Sequence, residues 1–175
     1  VSSGTNFTLN IDSGSAVLFY LVTYAFANLT IFAGITVGAN NLQGDDISHY
    51  KSMIRKSPQL AIMMSVALIA LIGIPPTGIF ISKFYVFSAA VEYGLTWLVI
   101  VGVINSVISA YYYVRVIKIM FQTDLSDDES NKIETPPLTL LALYLTTAGT
   151  IWLGISPSSL IKMIEQGVAL ISGLN

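Results

Sequence analysis

The sequence predicts an all-α membrane protein, a polytopic transmembrane helix bundle of about five spans with one helix pair interrupted by a Gly/Pro break. Two observations carry this. Only 10% of the 175 residues are charged and 54% are hydrophobic, whereas a soluble globular domain carries about 25% charged residues. The apolar residues are also blocked into runs. No Asp, Glu, Lys or Arg occurs between Asp12 and Asp45, Lys56 and Lys83, Glu92 and Arg115, or Glu134 and Lys162. Each gap exceeds the roughly 20 residues that a helix needs to cross ~30 Å of hydrocarbon.

The same composition excludes several functions. With no cysteine, the chain has no disulfide framework and no thiolate ligand for zinc or an iron–sulfur cluster. A single histidine, His49, does not make a zinc site. No nucleotide-binding glycine pattern is present, and a net charge of -2 gives no support for nucleic acid as a partner. Residues 1–14 lack the basic and apolar regions of a signal peptide. They also lack an initiator Met, so the chain is expected to begin partway through a longer protein.

Residues 1–14, rich in Ser, Gly and Asn, read as a loop. Residues 15–39 read as the first span, punctuated by Ala25, Ala27, Gly34 and Gly38, small residues that suit close helix contact in lipid. Residues 40–57 hold Asp45, Asp46, His49, Lys51, Arg55 and Lys56, and form an extramembrane connection with a short surface helix expected around 47–55. Pro58 suits a helix start, where its missing N–H costs nothing.

The following apolar run is broken at Gly73-Ile74-Pro75-Pro76-Thr77-Gly78, because prolines remove backbone donors and clash with the preceding turn. Two short crossings, 58–74 and 76–91, are expected on either side. Span 95–121 opens at Trp97 and closes with Tyr111, Tyr112, Tyr113, Arg115 and Lys118, the aromatic and basic pattern of a membrane boundary. An acidic loop, 122–135, leads to span 136–155, and 157–175 reads as a terminal helix lying in the interface. Five crossings would place Lys51, Arg55, Lys56 and Lys162 on one side and Arg115, Lys118 and Lys132 on the other. Four against three gives no orientation.

Seven of the eight basic residues fall in loops or at helix ends. Lys83 is the exception, on the order of 10 Å from either end of its segment by helical rise. A charged Lys at mid-bilayer costs at least roughly 2.5–3.5 kcal/mol, and snorkelling recovers only part of the distance. Lys83 is therefore expected to face protein or water, and desolvation works against its charged form. Such a lysine suits loading and releasing a proton, and it directly follows the broken pair, a sequence pointer to transporter sites. The competing reading is that Lys83 reaches an interface or pairs with a loop acid. Asn28, Asn105, Ser106, Ser109 and Tyr112 are polar residues inside spans. The first four either line a hydrated path or bond to a neighbouring helix or an i−4 carbonyl, and Tyr112 either joins that path or belongs to the interfacial aromatic belt.

The stretch Leu68–Phe87, LIALIGIPPTGIFISKFYVF, resembles the SLxGIPPxxGFxGKFYLF signature of the antiporter-like membrane subunits of respiratory complex I. Asn105–Arg115 looks like the family's xxSxxSxYYYxR stretch. Tyr24–Leu29 is similar to its YxFMNLGAF segment, and Ile47–Pro58 to its ISxYxGLxxKxP loop. Within the family, the subunit N branch of NADH–quinone oxidoreductases matches best, together with its archaeal counterparts that oxidise a reduced deazaflavin.

The resemblance implies a fold of about fourteen spans with two inverted five-helix repeats, of which this chain corresponds to the last five. It implies that Lys83 takes part in proton translocation driven by quinone reduction elsewhere in the complex. Quinone, flavin and iron–sulfur clusters are then expected in partner subunits, both membrane and peripheral, and no cofactor in this chain. The location implied is an energy-conserving membrane, a prokaryotic cell membrane or an organellar inner membrane. Ile79 departs from the usual Phe, Ser82 from the second Gly, and Thr30 and Ile31 from the LGAF pattern. Alternatives are a subunit of a multisubunit cation/proton antiporter or membrane-bound hydrogenase, or a structural piece of the membrane arm that moves no proton.

Overall fold

The structure, a computed structural model, describes residues 13–42, 46–123 and 132–172. The expected N-terminal loop lies outside these except for its last two residues, which begin α1, and so does most of the expected acidic loop. All regular structure among the described residues is helical: α1 (Ser13–Asn41), a 3-10 turn (Ile47–Tyr50), α2 (Met53–Lys56), α3 (Pro58–Ile72), α4 (Gly78–Glu92), α5 (Thr96–Phe121), α6 (Pro137–Ile155) and α7 (Pro157–Ser172). Pro58 and Pro137 occupy first helical positions, where no intrahelical N–H bond is lost. Gly73 ends α3 at φ 83°, a left-handed conformation that glycine adopts without steric cost. Thr77 opens α4 by accepting from the Phe80 N–H through its hydroxyl at 3.4 Å.

Among the described residues, α1, α5 and α6 are long and apolar enough to cross a bilayer alone. α3 and α4 have 15 residues each, or about 22 Å of rise, short of the ~30 Å core. Their neighbours show how they share the distance. Along α1, Gly34 meets Met64 of α3, Ala27 packs with Ala70, Leu71 and Ile79, Thr23 reaches Ser82 of α4, and Phe19 meets Tyr85. Along α5, Gly102 meets Phe87, Ser106 meets Lys83, and Tyr113 packs against the Ala27, Ala70, Leu71 and Ile79 cluster and lines a cavity with Met64 and Leu68 of α3.

Both long helices thus meet α4 and then α3 in one continuous order. A hairpin would instead place α3 and α4 at the same levels of α1. The two short helices lie end to end as halves of a single interrupted path, so the described bundle has four paths rather than the five spans the sequence suggests. The Gly/Pro segment interrupts the helix without reversing the chain.

That geometry also changes the distribution of charge. The Ser52 N–H and Oγ both donate to the Gln122 carbonyl, at 2.9 and 3.0 Å, and the Ile133 N–H donates to the Lys56 carbonyl at 3.2 Å. The 46–57 connection, the end of α5 and the approach to α6 therefore share one end of the bundle. Lys51, Arg55, Lys56, Arg115, Lys118 and Lys132 gather there, and of the remaining two basic residues only Lys162 belongs to a different end. The even split expected from five crossings gives way to six against one.

A core of Met53, Leu60, Met64, Met120 and Leu143 lies beneath the basic end. A smaller one, of Ala27, Ala70, Leu71 and Ile79, lies at the junction of α3 and α4. At the same level α6 touches the break. A Cβ placed on Gly154 would overlap the Pro76 carbonyl oxygen and lie 3.0 Å from the Gly78 nitrogen. Two of the residues that depart from the resembled patterns serve this junction: Ile79 and Ser82 are buried, and the Ser82 Oγ donates to the Ile79 carbonyl at 3.0 Å.

Candidate functional site

Ending α3 inside the bundle leaves its last carbonyls without intrahelical partners. Because α4 begins directly beyond, a side chain on the second turn of α4 can reach back to them. Lys83 does so. Its Nζ donates to the Leu71 carbonyl at 3.4 Å, to the Ile72 carbonyl at 3.2 Å and to the Ser106 Oγ on α5 at 3.3 Å. These are long hydrogen bonds, but their number matches the three donors of an ammonium. All three acceptors are neutral, and two lie at the negative end of the α3 dipole, where a cation is favoured.

The depth of the site follows from the long helices. Ser106 is ten residues into α5, and Thr23, which meets the neighbouring Ser82, is ten residues into α1. By helical rise each is about 15 Å from the start of its helix. Lys83 is half-buried and lines an open cavity of about 350 Å³ between α4 and α5, together with Ile72, Gly73, Phe84, Phe87 and Ser106. A water takes roughly 30 Å³ of liquid, so several fit. Lys83, Ser106 and the two carbonyls supply polar partners on an otherwise aromatic and aliphatic wall.

Gly73 belongs to the site twice over. Its positive φ turns the chain out of α3, and a Cβ there would lie 3.3 Å from the Lys83 Nζ. Pro75 and Pro76 are exposed on the far side of the break. Gly78 is buried where a Cβ would lie 2.9 Å from the Thr23 side chain.

Of the five polar residues singled out from the sequence, Ser106 alone meets Lys83. The Asn28 side chain donates to the Tyr24 carbonyl of its own helix at 2.8 Å, and the Ser109 Oγ to the Asn105 carbonyl at 2.8 Å. Asn105 and Tyr112 are exposed on the outer face of α5. The Leu71 and Ile72 carbonyls carry no side-chain signal and were not foreseen. The one available hint was that Lys83 follows an interrupted helix whose final carbonyls need donors. Gly154 could have been suspected as a close-approach glycine in an apolar helix.

Residues 5–109 match the model of the NADH:quinone oxidoreductase/Mrp antiporter transmembrane family. NADH-quinone oxidoreductase subunit N of Trichlorobacter lovleyi is 40% identical over 158 residues, covering 90% of this chain and 32% of the relative. Subunit N of Mycobacterium bovis is 41% identical over 162 residues, covering 90% and 30%. The chain thus spans about a third of the length of these curated relatives. Among solved structures, respiratory complex I from Thermus thermophilus with bound aureothin contains a chain that superimposes with a TM-score of 0.71. That chain is 26% identical, and the match covers 85% of this chain and 34% of that one. The membrane-bound sulfane sulfur reductase, an archaeal respiratory membrane complex, shares the fold at a TM-score of 0.78 and 23% identity, covering 90% and 32%.

Proposed function

The chain belongs to the NADH:quinone oxidoreductase/Mrp antiporter transmembrane family, and from that premise we propose that it forms part of a proton-translocating membrane subunit of a complex I-like oxidoreductase. Lys83 is the group that takes up and releases the proton. The observation that carries this reading is the set of three neutral acceptors around one intramembrane amine.

Two opposed effects act on that amine. Removal from water penalises the ammonium, while the end of α3 and the Ser106 hydroxyl stabilise it. A balance of this kind responds to small changes in hydration of the adjoining cavity or in a nearby charge. When the proton leaves, the neutral amine needs a donor, and the Ser106 hydroxyl can rotate from accepting to donating. Water in the cavity is the route by which the proton exchanges.

Electron transfer belongs to other subunits in this proposal. Those partners, membrane and peripheral, would hold the flavin, the iron–sulfur clusters and the quinone site, with either NADH or a reduced deazaflavin as donor. The membrane would be a prokaryotic cell membrane, in keeping with the bacterial relatives at about 40% identity. Those relatives favour the quinone oxidoreductase branch over a cation/proton antiporter or hydrogenase.

Replacing Lys83 with Met in the assembled complex separates a proton-transfer residue from a passive scaffold. The variant is expected to assemble and to lose most of its proton translocation in sealed vesicles. Assembly with undiminished translocation would leave the chain a structural piece of the membrane arm.

A further inference from the structure

Beyond the amine, the seam between α4 and α5 turns apolar. Phe87 and Ala90 follow Lys83 on one side of α4 at i+4 and i+7, and Val99, Gly102 and Ser106 share the facing side of α5 at i, i+3 and i+7. Phe87, Ala90, Val99 and Gly102 are all half-buried. The Lys83–Ser106 pair and the Phe87–Gly102 pair are successive rungs between the two helices. The second rung is close. A Cβ on Gly102 would lie 3.1 Å from both Cε1 and Cζ of Phe87, so the tip of the ring rests on bare α5 backbone.

Past this rung α4 ends at Glu92, followed by the exposed turn 93–95. The rise from Lys83 to Glu92 is about 14 Å, and Phe87, Ala90, Val99 and Gly102 offer no polar side chain along it. Tyr85 of the same stretch is turned to Phe19 of α1. Toward the basic end the way is longer and packed. The α5 face continues to Tyr113 and Ile117, both set against the core of Met53, Leu60, Met64 and Met120. Ser106 lies ten residues from the start of α5 and fifteen from its end, or about 15 and 22 Å by rise. The seam past Phe87 is therefore the shorter way from the amine to bulk water.

An apolar constriction can gate by excluding water, and a proton crosses only where water or hydrogen-bonding groups carry it. Phe87 also lines the cavity of about 350 Å³ beside Lys83, so its ring has room to swing off Gly102. We propose that Phe87 is the gate of the amine site. Seated on Gly102, the ring separates the cavity from the water at Glu92. Swung into the cavity, it admits a water chain to which the ammonium gives up its proton, the electron pair staying on Nζ. The inference rests on the reading of Lys83 as the proton-exchanging group, and it gives a functional part to two residues without an ionisable or hydrogen-bonding side chain.

The test uses the assembled complex in sealed vesicles, where the proton gradient restrains electron transfer until a protonophore releases it. Phe87→Thr removes the ring and places a hydroxyl in the seam, Gly102→Ser wets the same seam from α5, and Phe87→Leu keeps it apolar. Phe87→Thr and Gly102→Ser are expected to transfer electrons at or above the unsubstituted rate, to build a several-fold smaller pH gradient and to lose most of the protonophore stimulation. Phe87→Leu is expected to match the unsubstituted complex. Adding Lys83→Met to Phe87→Thr should restore the stimulation, because the leak runs through the amine. Unaltered gradients in both wetted variants overturn the proposal, as does an equal leak in Phe87→Leu or in the double variant. A structural fault lowers electron transfer and gradient together, and that result in both wetted variants also contradicts the gate. Undiminished translocation in Lys83→Met alone would instead remove the premise about Lys83, whatever the Phe87 variants do.

Discussion

At the scale of residues, the position of Lys83 was legible and its partners were not. A basic side chain within an apolar run is conspicuous because hydrocarbon excludes charge. Two of its three acceptors are backbone carbonyls, and every residue has one, so only the location of the α3 terminus singles out Leu71 and Ile72. Asn28 and Ser109 looked as promising as Ser106, yet each bonds back into its own helix, a choice set by rotamer and invisible in sequence. Among the described residues, Ser106 is the single side-chain acceptor at the amine. A hydrogen bond to a charged group is worth roughly 1.5–3 kcal/mol, and at 3.3 Å the lower figure applies. Ser106→Ala is accordingly expected to slow proton translocation by about tenfold with assembly intact, as read by a pH-sensitive dye in vesicles. An unchanged rate would show that the two carbonyls suffice.

At the scale of elements, the helices fall on the charge-free runs, and Pro58 and Pro137 stand at first helical positions. The relation between α3 and α4 did not follow. A Gly/Pro segment can reverse a chain or merely interrupt it, and the choice lies in contacts made by distant helices. Here α1, α5 and α6 hold the halves in line. α6 contributes most closely through Gly154, whose lack of a side chain admits the backbone of Pro76–Gly78. Gly154→Ala would drive a methyl group into backbone that cannot step aside, and overpacking of this kind costs typically 1–3 kcal/mol. A lowered thermal unfolding midpoint of the assembled complex in detergent is the expected result. An unaltered midpoint would mean that the break is held by α1 and α5 alone.

At the scale of the whole molecule, the count of crossings decides where the charges go. A broken helix read as two crossings inverts the sidedness of everything after it, and that single step hid the asymmetry of the basic residues. With Lys51, Arg55, Lys56, Arg115, Lys118 and Lys132 at one end, the rule that cytoplasmic loops collect Lys and Arg orients the bundle. The end joining the 46–57 connection to α5 and α6 is predicted to face the cytoplasm. Thr123, exposed just beyond α5, can report this as Thr123→Cys. A membrane-impermeant maleimide should label it in inverted vesicles and not in intact cells, and labelling from outside would reverse the assignment.

The central claim is that the Lys83 amine alternates between carrying a proton and lacking one, rather than serving as a fixed positive charge on the end of α3. Lys83→Arg tests this most directly. It keeps a cation in reach of the same carbonyls but holds a proton that cannot be released. Measured as protons moved per electron pair in vesicles containing the assembled complex, the account predicts a marked fall in stoichiometry for the Arg variant. A stoichiometry equal to that of the unsubstituted complex would show that charge alone is what the site requires, and would contradict the account.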